Sequence, residues 1–107
     1  MQRSEVWWVN FDPSIGGEIK KKRPAVIISN NASNKFLNRV QVVPLSGKTQ
    51  RLYPSDAAVV FEGKESKAMA DQLATVSKAR LFRRAGVLSP EDMHKVEEAV
   101  KIQLAMP

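Results

Sequence analysis

Gly16-Gly17-Glu18-Ile19-Lys20-Lys21-Lys22-Arg23-Pro24-Ala25-Val26-Ile27-Ile28-Ser29 is the stretch on which the fold turns. Its first half carries four consecutive cations and is no buried strand. Its second half, from Ala25, is small or β-branched and apolar and reads as one. Between them stands Arg23-Pro24. Proline pushes the residue before it out of the helical region, so Arg23 is held extended where a loop enters a strand. Gly16-Gly17 lets the loop fold back, and Glu18 precedes Arg23 by five residues. A carboxylate and a guanidinium on one very basic loop point to chemistry on an anionic substrate.

Outward from this stretch the pattern is mostly β. Val6 to Phe11 is dense in β-formers and is stopped by the turn chemistry of Asp12-Pro13-Ser14. As a strand it sends Trp7 and Trp8 to opposite faces. One belongs in the core; the other borders the core, meets a second copy or offers a stacking face to a base. Asn30 to Asn34 reads as a polar turn, and Val40 to Leu45 as a strand in which Pro44 marks an end, an edge or a bulge. Ala57 to Phe61 and Ser66 to Leu73 follow as strands, with Thr75-Val76 continuing or capping the latter. Arg80 to Gly86 reads as a short turn of helix closed by glycine. From Ser89 a terminal helix begins. Ser89 and Asp92 approximate a capping box, Pro90 suits the first turn, and Met93, Val96, Val100 and Leu104 form one apolar stripe. His94 falls on the opposite, solvated face. The expectation is one domain over residues 1–107, mainly β with a C-terminal helix (α+β): a small barrel-like antiparallel sheet with the helix packed on it.

Charge carries the functional signal. The 107 residues hold 17 Lys plus Arg against 11 Asp plus Glu, a net +6. Ile19 to Ser55 contains no acid, yet has Lys20, Lys21, Lys22, Arg23, Lys35, Arg39, Lys48 and Arg51; Thr75 to Pro90 is a second acid-free stretch. A positive face suited to a polyanion such as nucleic acid follows. The absence of cysteine excludes disulfides and thiolate metal sites. A single histidine excludes a histidine-built metal centre and a two-histidine ribonuclease mechanism. No apolar run suggests a signal peptide or a membrane span, so the cytoplasm is the expected compartment.

Three blocks now carry a resemblance. Val6-Trp7-Trp8-Val9-Asn10-Phe11-Asp12-Pro13, Gly16-Gly17-Glu18 and Arg23 to Ser29 resemble the N-terminal signature of the MazF/PemK/Kid family of toxins. Val43-Pro44-Leu45-Ser46, Ala70-Asp71-Gln72 and Lys78-Ala79-Arg80-Leu81 fall where that family places similar segments, so the likeness spans nearly the whole chain. It implies an SH3-like barrel of the CcdB/MazF/Kid kind, a homodimer, and a cytoplasmic endoribonuclease that cuts single-stranded RNA at short sequences without a metal or other cofactor. It also implies an acidic antitoxin as partner. Carried over, Arg23 is the catalytic arginine and Glu18 the loop glutamate. Ser46 stands where the family usually has threonine; the hydroxyl is kept, and the missing methyl leaves it less firmly held.

These residues suit metal-free RNA cleavage, in which the 2′-hydroxyl attacks the adjacent phosphorus. Glu18 is the candidate base, Arg23 a fork of donors for phosphate oxygens, and Ser46 a further donor. Arginine, with a pKa above about 12, is a poor general acid, so the acid stays open. RNA contacts are expected from Lys20, Lys21, Lys22, Lys48 and Gln72, while Asp71 and Gln72 also read as braces for loops near the site. Two other functions compete: a CcdB-like toxin that binds DNA gyrase without nuclease chemistry, and a non-catalytic RNA-binding barrel. The Glu18, Arg23 and Ser46 constellation favours the nuclease, since a gyrase binder has no need of it.

Overall fold

The computed structural model describes residues 1–107. Seven strands form one antiparallel sheet: β1 (Glu5–Asn10), β2 (Lys22–Ile27), β3 (Arg39–Ser46), β4 (Asp56–Phe61), β5 (Lys64–Met69), β6 (Ala74–Ser77) and β7 (Leu81–Val87). A short helix α1 (Asn31–Phe36) precedes β3, and α2 (Pro90–Gln103) ends the chain. The ladder runs β4-β5-β3-β2-β1-β7, with β6 added alongside β3. The expectation of a mainly β fold with a C-terminal helix holds, and the pairing path is open between β4 and β7.

β3 is the axis of this arrangement. On one side Val42 to Pro44 pair with Ala25 to Ile27 of β2. The other side is shared: Arg39 to Val42 pair with β6, and Leu45-Ser46 with β5. Pro44 falls between those two partners, where no amide donor is called for. It therefore lies inside the strand without breaking it. Pro24 is placed alike, opposite Trp8 and just outside the β2–β3 ladder.

Both faces of β1, β2 and β3 are covered. Val6, Val26, Val43 and Leu45 join Met93, Val96 and Ala99 of α2 in one cluster; Val9, Ala25, Ile27 and Val42 join Phe11, Val76 and Leu81 in another. That is why Ala25 to Ile27 read as an unbroken apolar run. Trp7 packs on the second cluster and donates its indole N–H to Glu5 Oε1 at 3.0 Å, while Trp8 turns to the α2 side.

Three expected elements differ. Asn30 to Asn34 is not a turn: Asn30 caps α1 by accepting from Ser33 N at 2.9 Å. Ser66 to Leu73 is not one strand: β5 ends at Met69, a 3-10 turn spans Ala70–Gln72, and Thr75-Val76 belong to β6. Arg80 to Gly86 is no helix. A 3-10 turn ends at Arg80 and the rest is β7, drawn into the extended form by the unpaired edge of β1. The α2 stripe is shifted as well: Met93, Val96 and Ala99 are buried, whereas Leu104 is exposed. Ser89 caps the helix through Asp92 N, but the Asp92 carboxylate accepts from Val60 N at 2.8 Å instead of closing the box. His94 is exposed beside Glu98, as expected.

Candidate nucleic-acid site

Where α2 stops covering the sheet, a cleft of about 490 Å³ opens over β1, β2, β3 and the β4–β5 hairpin. Trp8 and Phe61 floor it. Lys21, Lys22, Arg23 and Pro24 form one wall; Leu45, Ser46 and Gly47 form another; Glu62, Lys64, Glu65 and Ser66 come from the hairpin. Four of these side chains are cations, and the Arg83 guanidinium lies 5.5 Å from the Trp8 ring. The two carboxylates, Glu62 and Glu65, were not singled out in the sequence. Their signal was local: Glu62-Gly63 is a hairpin turn in which both residues have positive φ, 52° and 74°, and such a turn aims its flanking side chains.

Arg23 is set by its surroundings. It pairs with Val9 inside β2 and is half-buried. Lys21 takes a positive φ of 66°, turning the chain so that Lys20 O accepts from Arg23 Nε at 3.1 Å. Tying down Nε leaves the two terminal nitrogens as the fork that can grip an anion. Lys21 N is itself held by Asp12 Oδ1 at 2.9 Å. Ser46 ends β3 and is nearly buried; its Oγ accepts from Lys48 N at 3.2 Å, which orients the hydroxyl and leaves its proton free to donate.

Arg23, Ser46, Lys21 and Lys22 therefore come together in one cleft. Glu18 does not line it. Its carboxylate accepts from Ile15 N at 2.7 Å, and it borders a separate cavity of about 200 Å³ with Ile19, Thr75 and Arg80. Lys20 serves the cleft through its carbonyl, and Lys48 through its amide. Gln72 braces the loop at both ends of its amide: Oε1 accepts from Ile19 N, and Nε2 donates to Gly17 O, each at 3.1 Å. These are the two residues that flank Glu18. No three His, Cys, Asp or Glu side chains gather as a metal-holding group. No helix is long and apolar enough to cross a membrane.

One titration is displaced, away from the cleft. Burial alone would raise the Glu5 carboxyl. Hydrogen bonds from the Trp7 indole and the Gln2 backbone, with the charges of the N-terminus and Arg84, outweigh it and hold the pKa below its ordinary value. Glu5 thus ties β1 to β7.

One cleft of this small antiparallel sheet thus gathers a guanidinium-bearing residue, a hydroxyl and flanking lysines. The chain belongs to the family described as PemK-like, MazF-like toxins of type II toxin–antitoxin systems, which it matches over residues 2–104. It is 32% identical over 113 residues to Endoribonuclease MazF9 of Mycobacterium tuberculosis, with 97% of this chain and 96% of that protein covered. It is 29% identical to Endoribonuclease EndoA of Bacillus subtilis, with 99% and 96% covered. Among solved structures, an endoribonuclease in complex with its cognate antitoxin from a mycobacterial species superposes with a TM-score of 0.83 at 26% identity, over 100% of this chain and 97% of that one. MazF of Deinococcus radiodurans has the same fold, with a TM-score of 0.88 at 21% identity over 99% and 97% of the two chains.

Proposed function

We propose that this chain is the toxin of a toxin–antitoxin pair and cuts single-stranded RNA at specific sequences without a metal, thereby stopping translation and growth. The observation that carries the reading is the meeting of Arg23 and Ser46 in one cationic cleft with Lys21 and Lys22. The 2′-hydroxyl loses its proton to a carboxylate, O2′ bonds to phosphorus, and the bond from phosphorus to O5′ breaks. The leaving oxygen takes a proton, giving a 2′,3′-cyclic phosphate and a 5′-hydroxyl. The terminal nitrogens of Arg23 and the hydroxyl of Ser46 stabilise the charge that develops on the phosphoryl oxygens.

Glu18 acts as base after the loop turns about Gly16-Gly17, which breaks its bond from Ile15 N and releases the hold of Gln72 on Gly17 and Ile19. Glu62 stands in the cleft without such a movement and is the alternative base. In single-turnover cleavage across pH, Glu18→Gln should abolish the acid limb of the rate profile and Glu62→Gln should retain it. The reverse result would transfer the role to Glu62, and a profile unchanged in both would remove carboxylate catalysis from the mechanism. The gyrase-binding alternative is tested alongside, since inhibition of supercoiling by a protein that leaves RNA intact would overturn the nuclease reading.

The partners follow the same logic. An acidic antitoxin segment occupies the cationic face in place of RNA, with an affinity that falls as salt rises. The working unit is a homodimer, because exposed Phe36, Val60, Val87 and Ile102 leave apolar surface that a second copy can cover. The cytoplasm, where messenger RNA is available, is its compartment.

A further inference from the structure

The pairing of β1 with β7 contains two extra residues on β7, Ala85 and Phe82. Trp8 is opposite Arg83 and Val9 opposite Leu81, so Phe82 has no partner across the ladder. A bulge of this kind bends the strand and re-aims a side chain. Here it sets two consecutive side chains beside residues that line the cleft. Lys22 Nζ lies 5.5 Å from the centre of the Phe82 ring, and the Arg83 guanidinium lies 5.5 Å from Trp8. Lys22 and Trp8 both line the cleft. The neighbours on either side point away: Leu81 is buried in the second core cluster, and Arg84 Nε reaches Glu5 Oε2 at 3.2 Å.

Phe82 is 52% exposed. The fold gains little from a phenyl ring left half in water, since apolar surface stabilises only when it is buried. The ring lies beside Lys22, a residue of the cleft's cationic wall. Resting on the RNA-cleaving reading above, we propose that Phe82 is a stacking platform for one base of the single-stranded RNA that enters the cleft, with Lys22 holding the phosphate of the same nucleotide. An aromatic face beside a row of cations is the arrangement that holds single strands, because every base has a π face and every nucleotide a charge. Charge argues against a second copy as the occupant. A two-fold contact centred on this ring would bring two copies of the cationic wall close together, which like charge disfavours.

The test uses the full chain and a short single-stranded RNA containing the cleavage sequence, with hydrogen in place of the 2′-hydroxyl at the cut. The same RNA is also made with one base removed at each position in turn. Phe82→Ala should weaken binding about tenfold or more, and Phe82→Tyr should restore it. For the parent, one base removal should be costly, and Phe82→Ala should erase that one penalty while keeping the others. Unchanged affinity in Phe82→Ala, or an identical set of penalties, would overturn the assignment. So would light scattering that shows Phe82→Ala converting a dimer into a monomer, since the ring would then serve a second copy. A parent protein that neither binds nor cuts RNA would defeat the RNA reading itself, and Phe82 with it; a parent that cuts, beside an unaffected Phe82→Ala, would defeat only the platform.

Discussion

Arg23→Lys keeps the positive charge and removes the fork. In the folded chain Arg23 Nε is occupied by Lys20 O at 3.1 Å, so the group offered to a phosphate is the terminal pair of nitrogens. Lysine at this position loses the anchor to Lys20 and one of the two donors. Losing a transition-state donor costs about 2.7–4 kcal/mol; the bond to Lys20 is made before and during the reaction, so its loss bears on the loop's stability and not directly on the barrier. The chemical step should therefore slow by roughly a hundredfold or more. Binding should change little, because the ammonium still attracts phosphate. Lys21→Ala supplies the contrast. Lys21 is exposed and lines the same wall, so losing it should weaken binding and lower the salt dependence by about one phosphate contact. The assay is single-turnover cleavage at saturating protein, together with binding to RNA lacking the 2′-hydroxyl at the cut. If Arg23→Lys cleaves at the parent rate, or Lys21→Ala does more harm to the chemical step, Arg23 is only another charge in a basic loop and the reasoning fails.

Two further predictions concern the scaffold. Asp92→Ala leaves Val60 N on the β4 edge without its acceptor and removes an acid from the first turn of α2; it should cost about 1–3 kcal/mol, or several degrees of melting temperature, and melting within one degree of the parent would contradict it. Glu5 titrates lower in the folded chain than its ordinary 4.5, so its contribution to stability is complete above about that pH and is lost as pH falls through the folded value. Glu5→Gln should therefore flatten the acid side of the stability profile, and parallel profiles for parent and variant would refute this.

Reading the sequence succeeded where local chemistry decides the structure. Ser89 and Pro90 mark the start of α2 because capping is a contact between near neighbours, and Ala25 to Ile27 mark the buried part of β2 because both faces are covered. The strand itself starts earlier, at Lys22, and ends at Ile27 rather than at the expected Ser29. Arg80 to Gly86 misled because its strand character comes from β1, which is far away in the chain. Arg23 and Ser46, expected together from the Arg-Pro junction and the family pattern, do line one cleft, because β2 and β3 are ladder neighbours. Gln72's hold on Gly17 and Ile19, and the approach of Phe82 to Lys22, depend on which strands become neighbours. Glu18 was identified as a residue, but not its turn toward Ile15 N, which is a property of the folded loop.

This chain is proposed to cut RNA by itself, using the RNA's own hydroxyl as nucleophile. The direct measurement is to incubate the purified protein with a long single-stranded RNA in excess EDTA and to determine both ends of every fragment. Cleavage is expected at a short recurring sequence, with a 2′,3′-cyclic phosphate or its 3′-phosphate hydrolysis product on one side and a 5′-hydroxyl on the other. Cleavage that appears only on adding magnesium, or fragments that carry a 5′-phosphate, would contradict it.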